Sequence, residues 1–146
     1  MNAILTDKRY CPYKGIPSMT PDFVHYYLKS LGASSIGQGC VVELGCWLGA
    51  TTRALLDGLA ESQYRLPYHA FDRWLATSDQ LPKAEAQGVP LTLHQDLSPL
   101  FQKNVSSPFV FMHQGEIGGS LTTTLVVQLR YACSTLRKKI LFSRGA

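Results

Sequence analysis

Ten consecutive residues, Glu43 to Thr52, contain an acid, two glycines and two threonines. Gly45 permits a sharp turn, and Gly49 lets a ligand approach the backbone closely. If a helix begins just after this turn, its first N–H groups can bind a carboxylate or a phosphate, and the hydroxyls of the threonine pair can add donors. The segment therefore predicts a ligand-binding turn.

A second acid, Asp72, lies about 20 residues after Gly49. A carboxylate at this spacing can accept hydrogen bonds from both hydroxyls of an adenosyl ribose, as the acid of dinucleotide-binding folds does. Two structural alternatives stay open, because Asp72 beside Arg73 could be a surface ion pair and Glu43 could be a buried acid that caps a helix. The spacing of the two acids and the glycines favours ligand binding.

The elements around these residues form a simple series. The apolar run Cys40–Leu44 predicts a buried strand of a parallel sheet. Residues 50–60 predict a helix, and residues 68–71 predict a second strand that ends in Asp72. The series is a strand, a glycine turn, a helix and a strand, which is a βαβ unit with an expected right-handed crossover. The helix is expected to turn Leu55, Leu56 and Leu59 inward.

Before this unit, residues 1–19 read as an irregular lead-in. The next residues predict a helix with Thr20 as its N-cap, Pro21 in its first turn and Asp22 placed favourably against the helix dipole. Gly32 is expected to end this helix. Its predicted apolar face consists of Phe23, Tyr27, Leu28 and Leu31.

After the unit, helices are predicted at residues 78–87 and 96–104, with a connection at 91–94 between them. The second of these helices is expected to bury Leu97, Leu100 and Phe101. Residues 109–112 predict a third strand, which opens after Pro108. A last helix is predicted over residues 125–142.

The turn and the two acids resemble motif I, acid-x-Gly-x-x-x-Gly, and the ribose-binding acid of motif II in class I S-adenosylmethionine-dependent methyltransferases. The segment from His113 to Ile117 is similar to the Gly-acid-Ile turn of many members. The resemblance covers residues 20–117. It implies an α/β fold with a Rossmann-like, doubly wound and mostly parallel sheet, and S-adenosylmethionine as the cofactor.

The resemblance also implies a role for each site residue. Glu43 and the turn would contact the methionine part of the cofactor, Asp72 would bind the ribose, and Arg73 and Trp74 would flank the adenine. Glu116 would accept a hydrogen bond from the adenine amino group, although a solvated turn among glycines is equally consistent with its position. The cofactor-binding residues so implied are Glu43, Gly45, Cys46, Trp47, Gly49, Thr51, Thr52, Asp72, Arg73, Glu116 and Ile117.

Trp47 stands in place of a middle glycine, and a threonine pair follows Gly49. In both respects the chain is most similar to small-molecule O-methyltransferases of the macrocin-methylating type. The expected activity is therefore O-methylation of a small-molecule acceptor, whose identity the sequence does not give. Catalytic residues stay unassigned, and the one acid-base set considered is His94, His113 and Asp96.

Residues 118–146 depart from the family pattern, so that the expected sheet is incomplete. A natural truncation, a frameshifted product and a minimal cofactor-binding module all fit this departure. A non-catalytic and dimerising remnant is one alternative function, in which the open sheet edge is covered by the chain's own tail or by a partner. An NAD-dependent oxidoreductase is another, against which the lack of GxGxxG counts.

The composition narrows the class of protein. The 146 residues are 45% hydrophobic, which fits a single domain over residues 1–146. The net charge is +4, but the lysine and arginine residues are scattered along the chain, which argues against a nucleic-acid-binding groove. The four cysteines lack paired spacing, which argues against a metal site and fits a cytoplasmic protein. No apolar run is long enough to span a membrane. The sequence leaves it undecided whether the chain forms a homodimer.

Overall fold

The computed structural model of the chain describes residues 10–116 and, as backbone only, the strand at 140–143. Helices and strands alternate along the chain from α1 to β2, after which two helices precede β3. No helix in these parts of the chain is long and apolar enough to cross a membrane. In chain order the elements are α1 (Asp22–Ala33), β1 (Cys40–Leu44), α2 (Ala50–Glu61), β2 (Tyr68–Asp72), α3 (Leu81–Glu85), α4 (Ser98–Val105), β3 (Val110–Gln114) and β4 (Ile140–Ser143).

The four strands form one sheet in the order β3-β2-β1-β4. β1, β2 and β3 run parallel, whereas β4 runs antiparallel to β1. The βαβ unit expected from β1, α2 and β2 is present, and the chain has an α/β fold. The strand predicted at Cys40–Leu44 is confirmed with the same bounds, and the helix predicted at 50–60 extends one residue further.

One face of the sheet carries the main core. Val41 of β1 is opposite Tyr68 of β2, and Glu43 is opposite Ala70, so that these four side chains share a face. All four are buried, together with inward side chains of α2 and α4 such as Leu55 and Phe101. Leu56 and Leu100, also predicted to point inward, pack against this core while partly exposed. The opposite face carries a separate, smaller cluster around Val42 and Phe71.

Helices α1 and α2 contact each other backbone to backbone. A Cβ atom on Gly32 would lie 2.5 Å from the Leu55 carbonyl oxygen, and one on Gly58 would overlap the Lys29 carbonyl. Glycine is therefore required at this crossing by the lack of space. The prediction that Gly32 ends α1 was wrong, because the helix continues to Ala33 and uses Gly32 for close approach.

The predicted apolar face of α1 was also partly wrong. The buried positions are Val24, His25, Leu28 and Gly32, while Phe23 and Tyr27 are 70% and 51% exposed. The physical reason is the glycine contact, which turns the row at positions 24, 28 and 32 toward α2. Residues 23 and 27 lie one step of about 100° away on the helix and point outward.

The start of α1 differs from the prediction as well. The N-cap position is occupied by Pro21, and no side chain caps the helix. The Thr20 hydroxyl instead lies 3.0 Å from the Nε2 atom of the buried His25, which also contacts the Ser18 hydroxyl. The Thr20 hydroxyl, which the sequence pattern assigns to helix capping, is thus hydrogen-bonded to the buried imidazole of His25.

Three further elements have bounds that differ from the predicted ones. The helix predicted at 78–87 is reduced to α3, and the one predicted at 96–104 begins at Ser98, because Asp96 accepts hydrogen bonds from the Ser98 N–H and hydroxyl. The third strand begins at Val110.

The helix predicted over 125–142 was wrong at its end, where residues 140–142 belong to β4. An edge strand offers unpaired N–H and carbonyl groups, and β4 satisfies those of β1. Residues 125–139 lie outside the described part of the chain. The sequence left open whether the chain's own tail or a partner covers the sheet edge, and residues 140–143 of the tail pair with β1.

Candidate functional site

The predicted ligand residues within the described part of the chain lie at one end of the parallel strands. Gly45 directly follows β1, Asp72 ends β2, and Gly115 directly follows β3. Because neighbouring parallel strands end at the same side of a sheet, these residues meet there, where open α/β sheets bind ligands. We call this region the carboxyl edge and define it as residues 45–52, 72–74 and 114–116.

The two glycines of the turn serve different purposes. Gly45 and Gly49 have φ angles of 80° and 94°, which favour glycine. A Cβ on Gly49 would lie 2.7 Å from a Val105 methyl carbon and 3.1 Å from the Phe101 ring, so that the space beside Gly49 is filled by α4. No atom would lie within 4 Å of a Cβ on Gly45. The prediction that a ligand approaches the backbone at Gly49 was therefore wrong, and such an approach is possible at Gly45 instead.

Glu43 is fully buried and its carboxylate is occupied from within the fold. One oxygen accepts the Thr51 hydroxyl at 2.5 Å, and the other accepts the hydroxyls of Thr52 at 2.5 Å and Tyr68 at 2.6 Å. These contacts satisfy a charge that would otherwise be costly to bury. Burial raises the pKa of Tyr68 well above its ordinary value, and the negative charge of Glu43 adds to the rise.

Asp72 links the loops that follow β1 and β2. Its Oδ2 atom accepts the backbone N–H of Trp47 at 2.8 Å, and its Oδ1 atom accepts that of Trp74 at 2.8 Å. Both tryptophans have left-handed backbones, with φ of 47° and 46°, a conformation that large side chains rarely adopt. Asp72 is only partly buried, and each of its oxygens keeps a further lone pair. The carboxylate therefore stabilises both loops and can still accept from a ligand.

The side chains of the two tryptophans and of Cys46 are buried. The Trp74 ring packs against Phe101 with centroids 4.9 Å apart. The indole N–H groups of Trp47 and Trp74 have no hydrogen-bond partner among the described residues. The Cys46 thiol lies 3.7 Å from the carbonyl oxygens of Glu43 and Phe71, so that it bridges β1 and β2.

The residues predicted to surround adenine lie beside Asp72. The Gly115 N–H donates to the Asp72 carbonyl at 3.0 Å, and the Gln114 side chain donates to the Arg73 carbonyl at 3.1 Å. Arg73 and Glu116 form an ion pair at 3.7 Å, with side chains 50% and 79% exposed. Arg73 thus pairs with Glu116 and not with its neighbour Asp72. Ile117 lies outside the described residues.

The acid-base set considered from the sequence is not assembled as a hydrogen-bonded group. Asp96 is engaged by Ser98, and His94 is exposed with a φ of 62°. The Nε2 atom of His113 lies 2.9 Å from the Nδ1 atom of His69, on the sheet face opposite the main core. Burial lowers the pKa of His69, and the positive charge that His113 can carry lowers it further.

His69 was missed by the sequence reasoning. Its pairing with His113 depends on the β2-β3 register, which sets His69 opposite Phe111 and Phe71 opposite His113. Alternation along two predicted strands places both histidines on one face, and this was the available signal. The register itself was not readable from the pattern.

Two cavities lie at the opposite end of the sheet. They measure about 530 and 420 Å³ and share the lining residues Ser106, Ser107 and Pro108, which precede β3. The larger one is also lined by the second half of α2 and by Leu66, which precedes β2. Neither cavity is lined by a residue of the carboxyl edge.

The described residues hold no group of three or more His, Cys, Asp or Glu side chains that could bind a metal ion. Comparison with protein-family models, with curated proteins and with solved structures finds no match to this chain. The geometry of the carboxyl edge is thus the basis for a functional assignment.

Proposed function

We propose that the chain is a Rossmann-like S-adenosylmethionine-binding protein of the class I methyltransferase type, which transfers a methyl group to a small-molecule acceptor, most simply to an oxygen. The observation that carries the proposal is the hydrogen bond from the Trp47 N–H to Asp72. It joins the turn assigned to the methionine part of the cofactor to the acid assigned to its ribose. Two residues that the resemblance assigns to the cofactor site are thus in direct contact.

The chain offers several groups that fit such a cofactor. The backbone beside Gly45 is open, and α2 begins at Ala50 with no side chain capping it. First-turn N–H groups of a helix can bind a carboxylate such as that of a methionine moiety. Asp72 would accept the ribose hydroxyls, and Glu116 would accept the adenine amino group. Glu43, Thr51 and Thr52 fit a supporting role under the turn, because their side chains bind one another.

S-Adenosylmethionine supplies a methyl group already activated on a sulfonium. The protein therefore has to bind the two substrates, exclude water and align the acceptor with the methyl carbon. Few catalytic side chains are needed for such an in-line displacement. We assign no general base.

A non-catalytic binding module is the second candidate. It is favoured by the departure of residues 118–146 from the family pattern, and by β4, which lies antiparallel beside β1 in an otherwise parallel sheet. In the family this region contributes to the acceptor pocket. Cofactor binding and methyl transfer are therefore separate expectations and need separate measurements.

Calorimetric titration of the purified chain with S-adenosylmethionine, S-adenosylhomocysteine and NAD tests the proposal. Saturable binding of both adenosyl compounds without binding of NAD is expected. Asp72→Asn is expected to abolish that binding, and Asp79→Asn, at an exposed acid outside the carboxyl edge, serves as its matched control.

Circular dichroism and a melting temperature for each variant separate lost binding from lost folding, which matters because Asp72 also stabilises two loops. A folded wild type that binds neither adenosyl compound would contradict the proposal. Binding without transfer of labelled methyl to any of a panel of small hydroxylated acceptors would favour the non-catalytic module.

A further inference from the structure

Helix α1 presents three aromatic side chains to solvent. Phe23, Tyr26 and Tyr27 are 70%, 63% and 51% exposed. They are spaced i, i+3 and i+4, so that they share one face of the helix. We call them the aromatic stripe.

The exposure of the stripe is fixed by the fold. The opposite side of α1 is packed against α2 through Val24, Leu28 and Gly32. Gly32 lies so close to the Leu55 carbonyl that α1 has no room to rotate and bury the stripe. The three rings can be covered only by something outside the described core.

The stripe is large enough to matter. An aromatic side chain buries about 150–250 Å² when fully covered. At the observed exposures the three rings leave roughly 300–450 Å² of accessible surface, most of it apolar. A patch of this size is comparable to the largest on a typical soluble monomer, and such patches are often functional.

We propose that the aromatic stripe is a homodimer interface, in which α1 packs against α1 of a second copy in antiparallel orientation about a twofold axis near Tyr26. A twofold interface uses the same patch on both copies, so a single self-complementary helix face is sufficient. Aromatic side chains are enriched at the centres of such interfaces.

The charges beside the stripe support an antiparallel arrangement. Asp22 and Lys29 lie two helical turns apart on the same side of the stripe. Their side chains are 57% and 37% exposed. An antiparallel pair centred near Tyr26 sets Asp22 of each copy opposite Lys29 of the other. A parallel twofold pair would place the flanking charges of the two copies on opposite sides of the interface, where they do not meet. Within its own chain Lys29 also contacts Glu61 at 2.8 Å, so this match adds orientation more than affinity.

The area predicts a weak dimer. Two stripes together bury roughly 600–900 Å², and flanking side chains bring the total to the low end of specific interfaces. We therefore expect a weak dimer, with monomer and dimer both populated between low micromolar and a few hundred micromolar protein. The inference does not depend on the proposed function.

Sedimentation equilibrium of the full chain, from low micromolar to a few hundred micromolar, tests the interface. The wild type is expected to dimerise with concentration. Tyr26→Arg brings two cations together near the twofold axis and is expected to raise the dissociation constant at least about tenfold. Leu93→Arg adds the same charge at a residue that is 52% exposed in the loop between α3 and α4, and it is expected to leave dimerisation unchanged.

Asp22→Lys is the second variant. It is expected to weaken the dimer at low ionic strength and to matter less in high salt, because exposed charges are screened. A wild type that stays monomeric throughout overturns the proposal, whether the stripe is then bare or covered by residues outside the described part. A dimer that persists in both folded variants overturns it too, because the interface then lies elsewhere.

Discussion

Tyr68 donates its hydroxyl to the carboxylate of Glu43 at 2.6 Å, across the neighbouring strands β1 and β2. Both side chains are fully buried on the core face of the sheet. The contact combines a neutral donor with a buried acceptor that no lysine or arginine neutralises among the described residues. Stability of the sheet centre should therefore depend on the hydroxyls around Glu43.

Removing one of these donors gives the first prediction. Tyr68→Phe is expected to lower the free energy of unfolding by about 1.5–3 kcal/mol, the range for a hydrogen bond to a charged group. Tyr64→Phe, at an exposed tyrosine, is the matched control and should change it little. Urea denaturation measures both. Equal stability of the two variants would show that Glu43 does not depend on Tyr68.

The second prediction concerns the α1-α2 crossing. Gly58→Ala would improve helix propensity by about 1 kcal/mol in an open helix. Here the added methyl group meets the Lys29 backbone, and overpacking should reverse the sign to a net loss of about 1–3 kcal/mol. Ser30→Ala, at an exposed position of α1, is the control and should stay within about 0.5 kcal/mol. Thermal and urea unfolding both report the difference, and a stabilised Gly58→Ala would refute the backbone contact.

Glu116 allows a test of ligand binding that spares the fold. Its side chain is 79% exposed, so Glu116→Gln should leave the melting temperature unchanged. If its carboxylate accepts the adenine amino group, affinity for S-adenosylhomocysteine should fall about tenfold. Calorimetry of Glu116→Gln beside Glu85→Gln, an exposed acid in α3, makes the comparison. Unchanged affinity would remove Glu116 from the site without affecting the assignment of Asp72.

The contacts of Asp57 in α2 predict that the stability of the protein depends on pH. Asp57 accepts hydrogen bonds from Tyr13 at 2.7 Å, Lys14 at 2.6 Å and Arg53 at 2.9 Å. Burial acts to raise the pKa of Asp57, but the hydrogen bonds from Lys14 and Tyr13 and the charge of Arg53 outweigh it and lower the pKa. A lowered folded pKa gives stability that is present above the unfolded value of about 3.9 and is lost as pH falls below it.

Unfolding free energies of wild type and Asp57→Asn, measured from neutral pH down to about pH 3, should therefore converge at the acidic end. The variant is expected to be the less stable at pH 7. Asp79→Asn, at an exposed acid whose pKa is also lowered, should show a smaller difference. A constant gap between wild type and Asp57→Asn at every pH would contradict the assignment.

Local patterns predicted the βαβ unit well. Cys40–Leu44 is a run of apolar residues between two glycines, and Gly49 is followed by a sequence that favours a helix, so chain-local chemistry defines both elements. The position of Asp72 at the end of β2 follows from the same logic. The contact between Asp72 and Trp47 was expected only as a shared location, since hydrogen bonds between loops depend on the left-handed backbone at residue 47.

The predictions that were wrong failed because contacts between distant parts of the chain decide these features. The outward face of α1 could not be read from hydrophobicity, because Gly32 and Gly58 determine which side meets α2. Thr20 satisfies the capping pattern, yet a buried histidine five residues later takes its hydroxyl. The strand at 140–143 forms by pairing with β1, which lies about 100 residues earlier in the chain. Local β-propensity cannot predict a pairing over that distance.

The buried Glu43 changes the electrostatic potential at the start of α2. A helix N-terminus carries the equivalent of roughly half a positive charge, which ordinarily attracts phosphates. Here the carboxyl group of Glu43 lies beneath that terminus, bound to the first-turn threonines Thr51 and Thr52. We therefore expect the start of α2 to favour a ligand that combines a carboxylate with a positive centre over a polyanion. A sulfonium or ammonium group next to the turn would gain from the nearby carboxyl group, whereas a pyrophosphate would not.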